Sequence, residues 1–234
     1  MYNELRLDLI IETLGTLHNR ISERFPDSGL SKVAQELQDI GNETGSILDK
    51  VRKPNMLVRV GIAFTFGMIT VLAGVLIINI PELSHDVGGI GAMLQAMESA
   101  AQDLIFLSLA IYFLVTLETR INRRTSLRAL RRLRSIVHIV DMHQLRKDPE
   151  PLANPSLATP SSPVRNFTTY ELTRYLAYCS ELISLCSKLA ALHVQFVNDP
   201  VVLDAVNDIE VLSANLSNLM WQKIVILDTQ AVEA

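Results

Sequence analysis

The chain has 234 residues, of which 49% are apolar and 20% charged, and its net charge at pH 7 is −4. Its length allows one or two compact units with a core of their own. A positive mean hydropathy of +0.26 argues against a purely soluble domain and fits a chain that is part membrane and part soluble.

The N-terminal residues 1–53 are predicted to form a cytoplasmic helical hairpin. Apolar side chains recur there in two runs at steps of three, four or, once, seven residues, as on one face of a helix. The first run is Leu7, Ile10, Leu14, Leu17 and Ile21, and the second is Leu30, Val33, Leu37, Ile40 and Ile47. Between the runs, residues 25–29 read Phe-Pro-Asp-Ser-Gly, which are the residue types of a turn.

A transmembrane hairpin with a basic helical extension is predicted over residues 54–135. Residues 60–80 form a run of 21 residues without a charge. As a helix this run extends about 31 Å, which matches the hydrocarbon thickness of a bilayer. The first span is therefore placed at about 57–80, and Pro81 is expected to end it.

The second apolar stretch, residues 104–117, is too short to cross a bilayer alone. We therefore predict one helix that starts near Ile90, spans the membrane at about 90–117 and continues through the basic region to about Gln144. The alternative is a re-entrant segment or the buried helix of a soluble domain. Residues 136–165 are predicted to hold the end of this helix and a proline-rich linker.

Charge around the spans predicts the orientation. The segment 81–103 has four acidic residues and no Lys or Arg, whereas both opposite flanks are basic. Basic flanks stay in the cytoplasm, so both termini are placed there, and size and architecture favour a bacterial inner membrane. Seven arginines beside the second span are expected to fix topology and to bind anionic headgroups rather than nucleic acid. They are Arg120, Arg123, Arg124, Arg128, Arg131, Arg132 and Arg134.

The C-terminal residues 166–234 are predicted to form a cytoplasmic αα-hairpin. Thr168 and Glu171 have the spacing of a capping box, and Asp199 with Pro200 supplies an N-cap and a first-turn proline for the last helix. Both helices show heptad spacing, which is typical of coiled-coil-like packing. The predicted stripes are Leu172, Leu176, Cys179, Ile183, Cys186 and Ala190 on the first helix, and Val202, Ala205, Ile209, Leu212, Leu216 and Leu219 on the second.

Three residues near the end of the basic helix are the best candidates for chemistry. His138 and Asp141 are three residues apart and share a helix face, and His143 follows. Two imidazoles and a carboxylate are ligands for zinc or another transition metal, but no fourth ligand has the expected spacing. Packed or surface positions are the simpler interpretation, and no cofactor is predicted. Cys179 and Cys186, seven residues apart on one helix face, are too distant for a disulfide and are expected to be buried.

Two further sets of residues lie in or beside the spans. Ala63, Gly67 and Gly74 have the small-residue spacing that lets membrane helices approach closely, either within the chain or between copies. Glu98 and Asp103 lie near the outer end of the second span. They are expected in the headgroup zone or, in an oligomer, at the mouth of a cation pore.

The predicted fold class is therefore an all-α integral membrane protein, with a two-span helical hairpin and a cytoplasmic bundle of helical hairpins. We expect a membrane-anchored, self-associating interaction or scaffold protein without catalytic activity. Its expected partners are anionic lipid headgroups, further copies of itself and a cytoplasmic protein. An oligomeric ion channel with two transmembrane helices per subunit is the alternative. A metal-dependent membrane enzyme that uses His138, Asp141 and His143 is the weaker alternative.

Overall fold

A computed structural model of the chain describes residues 4–52, 56–86, 90–145, 147 and 167–233. Every regular element in this part of the chain is an α-helix, which confirms the predicted all-α class. These elements are α1 (Leu7–Arg24), α2 (Gly29–Arg52), α3 (Met56–Asp86), α4 (Ile90–Leu145), α5 (Thr169–Phe196) and α6 (Pro200–Glu233). Of the predicted linker, residues 148–165 lie outside the described residues.

The helices form two compact units. The helical unit consists of Met1–Arg52 and Arg123–Ala234, and the apolar unit consists of Lys53–Asn122. Because α4 is continuous across this boundary, its first part belongs to the apolar unit and its last part to the helical unit. The two hairpins that the sequence assigns to separate domains, 1–53 and 166–234, lie in the same unit.

α1 and α2 form the antiparallel hairpin that the sequence predicts. Hydrogen bonds join Ser22 to Ser31 near the turn and His18 to Gln38 farther along, as antiparallel pairing requires. In the turn Asp27 has φ of +55°, a left-handed conformation that aspartate tolerates better than most residues. The predicted stripes are buried at Ile10, Leu14, Leu17 and Ile21 of α1 and at Leu30, Val33, Leu37 and Ile40 of α2.

α5 is the central helix of the helical unit. It packs against α6, α1 and α2, and the last part of α4 contributes to the same hydrophobic core. Every residue of the predicted α5 stripe is buried, and so are residues beyond that stripe, such as Tyr178, Leu185 and Leu192. Burial on most sides is expected of a helix that is apolar around its circumference. The α5 stripe is therefore part of a multi-helix core and not only of a two-helix seam.

The predicted beginnings of α5 and α6 are confirmed by their hydrogen bonds. The Glu171 amide donates to the Thr168 hydroxyl at 3.2 Å, and the Thr168 amide donates to the Glu171 carboxylate at 2.8 Å, which completes the capping box. At α6, Oδ1 of Asp199 accepts hydrogen bonds from the amides of Val201 at 3.0 Å and Val202 at 3.2 Å. These side chains satisfy amides that have no partner within the helix.

The buried face of α6 differs from the predicted one. Val202, Ile209 and Leu216 are buried as predicted, but Leu219 is 48% exposed and Met220 is buried instead. The buried series is Val202, Val206, Ile209, Ser213, Leu216, Met220, Ile224 and Leu227. The buried series and the predicted stripe share Val202, Ile209 and Leu216. At the other predicted positions, the buried residue lies one position after the predicted one. The prediction of Leu219 as a core residue is therefore wrong, because α6 is apolar on more than one side.

The apolar unit contains α3 and the first part of α4. α4 extends from Ile90 to Leu145, as the sequence predicts. α3 continues to Asp86, so the prediction that Pro81 ends it is wrong. A proline removes one backbone hydrogen bond and bends a helix without necessarily ending it. Gly61 of α3 lies against α4, since a Cβ added there would be 3.5 Å from Cδ2 of Leu114.

One helical stretch in the described residues, Ala101–Leu145, is long and apolar enough to cross a membrane. None of its most apolar 18-residue window is buried, in contrast to the core helix of a soluble protein. The described apolar stretch of α3, Val58–Val71, is shorter than a span. Most side chains that would extend it to residue 80 lie outside the described residues. The length and composition of one helix thus support membrane association, and the two-span hairpin is not confirmed.

Candidate functional site

The side of α6 that faces away from the core carries a series of exposed, uncharged residues. Its members are Leu203, Asn207, Val211, Ala214, Asn218, Trp221 and Val225, and this series is named the α6 outer face. Trp221 is the only tryptophan of the chain and is 65% exposed. Charged residues such as Asp208 and Glu210 flank the series and are not part of it. An exposed tryptophan among aliphatic side chains is typical of a binding anchor.

The spacing of the α6 outer face is that of a coiled-coil seam. From Asn207 to Val225 its residues follow each other at steps of 4-3-4-3-4. An asparagine inside such a seam lowers stability but fixes the register and the number of helices, and Asn218 occupies such a position. The face can therefore bind another helix with matching apolar positions.

The first part of α4 exposes large apolar side chains in a continuous segment. Leu104, Ile105, Phe106, Leu109 and Phe113 are all more than half exposed. Exposed apolar surface of this extent marks a site that another apolar phase or protein covers. The segment is therefore the candidate membrane contact within the described residues.

The predicted arginine cluster divides into two groups. Three of the seven arginines pair with acids of the helical unit: Nη2 of Arg123 lies 2.6 Å from Asp199, Nη1 of Arg134 lies 3.4 Å from Asp208, and Arg132 pairs with Glu43. These three hold α4 to its neighbours. No ion pair involves the other four among the described residues, and the side chains of Arg120, Arg124, Arg128 and Arg131 are exposed. This second group is therefore the candidate contact for lipid headgroups.

The candidate metal ligands take part in other contacts. Oδ1 of Asp141 accepts a hydrogen bond from Gln144 at 2.7 Å, and the His143 ring lies so close to Gly29 that an added Cβ would overlap it. His138 lines a surface groove together with Arg131 and Arg134, whose charges oppose a bound cation. In the described part of the chain, no group of three His, Cys, Asp or Glu residues is placed to hold a metal ion.

The predicted membrane-associated residues make few contacts in the described part of the chain. No atom of the described residues lies within 4 Å of a Cβ added at Gly67 or Gly74, and Ala63 is exposed. Close helix packing at these three positions stays a prediction that no described contact tests. Glu98 and Asp103 are exposed on α4, so neither carboxylate is held by the fold.

Both cysteines are buried and free, as the sequence predicts. Burial raises the pKa of the Cys179 and Cys186 thiols. Because the thiolate is the reactive form, neither side chain is a nucleophile in the folded state.

The α6 outer face is absent from the sequence-based site residues. Its heptad spacing was visible in the sequence, but the same helix has a second apolar series, and periodicity does not tell which series contacts α5. No protein-family model matches the chain, and no curated protein or solved structure is significantly similar to it. The functional argument therefore depends on the geometry of the chain itself.

Proposed function

We propose that this protein is a membrane-anchored, self-associating interaction protein without catalytic activity. In this proposal α4 supplies the anchor and the α6 outer face supplies the contact between copies. The exposed heptad series of α6 is the observation that carries the proposal. The two-span hairpin, the cytoplasmic termini and the bacterial inner membrane are part of the same proposal.

A second copy of the chain is the occupant that best fits the α6 outer face. The face itself has no charge, so two identical faces meet without like-charge repulsion inside the seam. Of the two flanking acids, Asp208 is paired with Arg134. A seam with heptad spacing packs best against a helix with the same spacing, and α6 of a second copy provides it. The heptad stripes that the sequence predicts on α5 and α6 are mostly covered within one chain, so the proposal depends on this outer face alone.

Lipid headgroups are the second proposed partner. Arg120, Arg124, Arg128 and Arg131 are exposed and recur at steps of three or four along α4, after its apolar segment. Each basic residue near an anionic surface contributes about 1 kcal/mol to its attraction. A cytoplasmic protein partner would have to compete with the second copy or bind elsewhere on the helical unit.

Light scattering of the full-length protein in detergent tests the self-association. The unmodified chain is expected to be a dimer or larger, and Val211→Glu and Trp221→Glu are expected to give monomers because they place a charge in the seam. Leu219→Glu is the matched control, since it introduces the same charge at an exposed apolar position of α6 outside the seam. A monomeric unmodified protein, or equal effects of all three substitutions, would contradict the proposal.

Cross-linking through an introduced cysteine tests the same contact at a defined position. Both native thiols are buried, so a new cysteine at Ala214, the middle of the α6 outer face, is the reactive one. Ala214→Cys is expected to form a disulfide-linked dimer on mild oxidation whether the two α6 helices are parallel or antiparallel, because residue 214 lies opposite its own copy in both arrangements. Leu203→Cys, at the end of the face, is expected to cross-link only if the helices are parallel. If neither cysteine variant cross-links although light scattering shows a dimer, the two copies are in contact through a different surface.

Membrane fractionation tests the anchor. Leu109→Arg places a charge in the exposed apolar segment of α4, which costs about 3 kcal/mol in membrane insertion. We expect a smaller membrane-bound fraction for this variant. Leu219→Arg is the matched control in the helical unit and is expected to fractionate like the unmodified chain. Equal fractionation of both variants would contradict the assignment of α4 as the anchor.

A cation channel is the second candidate function, and Asp103 is the observation that favours it. This carboxylate is exposed directly before Leu104, Ile105 and Phe106. A carboxylate beside a membrane segment is stable if it faces water, as at a pore mouth. Cation flux into liposomes that is lost with Glu98→Gln and Asp103→Asn would support the channel. Silent liposomes from an oligomeric protein would support the interaction protein.

A further inference from the structure

A surface groove lies between the C-terminal half of α1 and the first half of α5, within the helical unit. It has a volume of about 390 Å³ and is named the arginine groove. It is lined by Arg20, Glu23, Arg24, Tyr170, Arg174 and Tyr178. Three guanidinium groups and two phenols from two helices thus meet around one opening, although Arg174 is distant in the sequence from Arg20 and Arg24.

The guanidinium groups are held in place by the tyrosines. Arg24 donates a hydrogen bond to the Tyr170 hydroxyl at 3.2 Å and lies 5.4 Å from the centre of the same ring. Arg20 and Arg174 lie 5.2 Å and 5.0 Å from the centre of the Tyr178 ring. These distances are those of cation–π contacts. The arginine side chains are therefore preorganised, which lowers the entropy lost when a ligand binds.

Positive charge in the arginine groove is only partly neutralised. Arg20 pairs with Glu181 at 3.1 Å, whereas no ion pair with a carboxylate forms at Arg24 or Arg174 in the described part of the chain. Glu23 also lines the groove. Hydrogen bonds from Thr168 lower the pKa of the nearby Glu171 carboxylate, and the charge of Arg24 lowers it further. Tyr178 is only 2% exposed, and the charges of Arg174 and Arg24 affect its pKa. Burial acts to raise its pKa, but hydrogen bonds with Arg174 and Arg24 outweigh burial, and its pKa is lowered.

We propose that the arginine groove binds a phosphomonoester group, carried either by a small phosphorylated metabolite or by a lipid headgroup. The guanidinium groups of Arg24 and Arg174 form no ion pair with a carboxylate among the described residues. Together they match the double negative charge of this group, and each can donate two parallel hydrogen bonds to it. The hydroxyl of Tyr170, a residue that is 62% exposed, is a further donor to this group. The volume exceeds the need of a phosphate alone, so the rest of the ligand has room beside the aromatic rings.

Isothermal titration of the full-length protein in phosphatidylcholine nanodiscs, with phenyl phosphate as the probe, tests this proposal. We expect saturable binding of phenyl phosphate, and binding of benzoate at least about tenfold weaker because it has one charge and two oxygens. Arg24→Gln and Arg174→Gln are each expected to weaken phenyl phosphate binding by about tenfold or more, the loss of a charged hydrogen bond. Arg6→Gln changes an exposed arginine outside both the groove and the proposed lipid contact, and this matched control is expected to bind normally.

Two further measurements make the result decisive. Arg174→Lys keeps the charge but not the paired donors, so weaker binding by a variant with an unchanged circular dichroism spectrum separates recognition from folding. Nanodiscs that also contain phosphatidic acid identify the source: a lower apparent affinity for the probe indicates a lipid headgroup, and an unchanged one a soluble metabolite. Absence of binding at millimolar probe, or equal affinities of the Arg24, Arg174 and Arg6 variants, would overturn the proposal. Such a failure leaves the proposed function unaffected, because the groove shares no residue with the α6 outer face.

Discussion

His193 shows how burial changes the chemistry of a single side chain. It lies near the end of α5 and is fully buried, and neither ring nitrogen has a hydrogen-bond partner among the described residues. Burial lowers its pKa to about 4, so the ring is neutral at pH 7. An imidazole without a partner costs free energy in the folded state, and this cost grows when the ring is protonated.

His193 is expected to make the protein less stable in mild acid. The unfolded chain protonates this residue near pH 6.5 and the folded chain only near pH 4, so between these values the unfolded state binds more protons and stability falls as the pH is lowered. Between pH 7 and pH 5 the loss is about 2 kcal/mol. Denaturant unfolding of the full-length protein in detergent, followed by circular dichroism at both pH values, measures it. His193→Leu is expected to remove this part of the difference, and an unchanged pH dependence would contradict the prediction.

Asp199 combines two roles that the sequence predicted only in part. It is the expected N-cap of α6, and its Oδ2 also accepts a hydrogen bond from Nε of Arg123 at 2.7 Å. Arg123 was predicted from its position beside the apolar segment to serve topology and lipid binding. The structure shows that it neutralises a buried carboxylate within the helical unit, a long-range contact that no local pattern encodes.

The two partners of this ion pair are expected to respond unequally to mutation. Asp199→Asn keeps the cap and leaves a guanidinium that is 38% exposed to water, whereas Arg123→Gln leaves a buried carboxylate without its cation. Arg123→Gln should therefore destabilise more, by about 1–3 kcal/mol. Asp199→Ala should cost about 1 kcal/mol more than Asp199→Asn, because the cap is also lost. Denaturant unfolding of the three variants measures this order, and equal losses would show that the carboxylate is not buried.

At the scale of single elements, the sequence predicts most of the helical structure. Caps and turns depend on neighbouring residues, so the starts of α5 and α6 and the α1–α2 turn follow from short motifs. Amphipathic stripes identify the buried faces of α1 and α2, where one side of the helix is apolar. On α6, two apolar series compete, and the choice between Leu219 and Met220 depends on the position of α5. For this reason the sequence wrongly predicts Leu219 as a core residue of α6 and does not predict the α6 outer face as an interface.

Gly41 of α2 illustrates a close helix contact. A Cβ added there would lie 3.1 Å from Cδ1 of Leu14 in α1 and 3.8 Å from Cδ1 of Leu189 in α5. Gly41→Ala is expected to be nearly neutral, since a shift of Leu14 by a few tenths of an ångström offsets the gain in helix propensity of about 1 kcal/mol. Gly41→Leu is expected to destabilise the protein by about 1–3 kcal/mol through overpacking.

Thermal or denaturant unfolding distinguishes this contact from a general effect of leucine in α2. Gln35→Leu is the matched control, because Gln35 is exposed on the same helix and its replacement is expected to change stability by less than about 0.5 kcal/mol. A tolerated leucine at residue 41 would mean that α1, α2 and α5 do not meet closely there.

At the scale of the whole molecule, the sequence predicts the parts better than their arrangement. Local patterns do not show that the N-terminal and C-terminal hairpins share one core with the end of α4, because that core joins residues more than a hundred positions apart. The arginine groove depends on the same arrangement, since Arg24 and Arg174 meet only when α1 packs against α5. Charge patterning, in contrast, is a property of the whole chain that the sequence contains directly, and it leads to a prediction about orientation.

Both termini are expected on the cytoplasmic side, and the buried native cysteines make this measurable. Cys179 and Cys186 are fully buried with raised pKa values, so a maleimide does not label the folded, unmodified chain. Ser84→Cys places a thiol in the acidic segment between the predicted spans, and Gln35→Cys places one on the exposed side of α2. A membrane-impermeant maleimide applied to intact cells should label only the first variant, and both after permeabilisation. If Gln35→Cys is labelled in intact cells, the orientation is the reverse of the predicted one. If Ser84→Cys is labelled only after permeabilisation, a two-span hairpin with an external loop is ruled out.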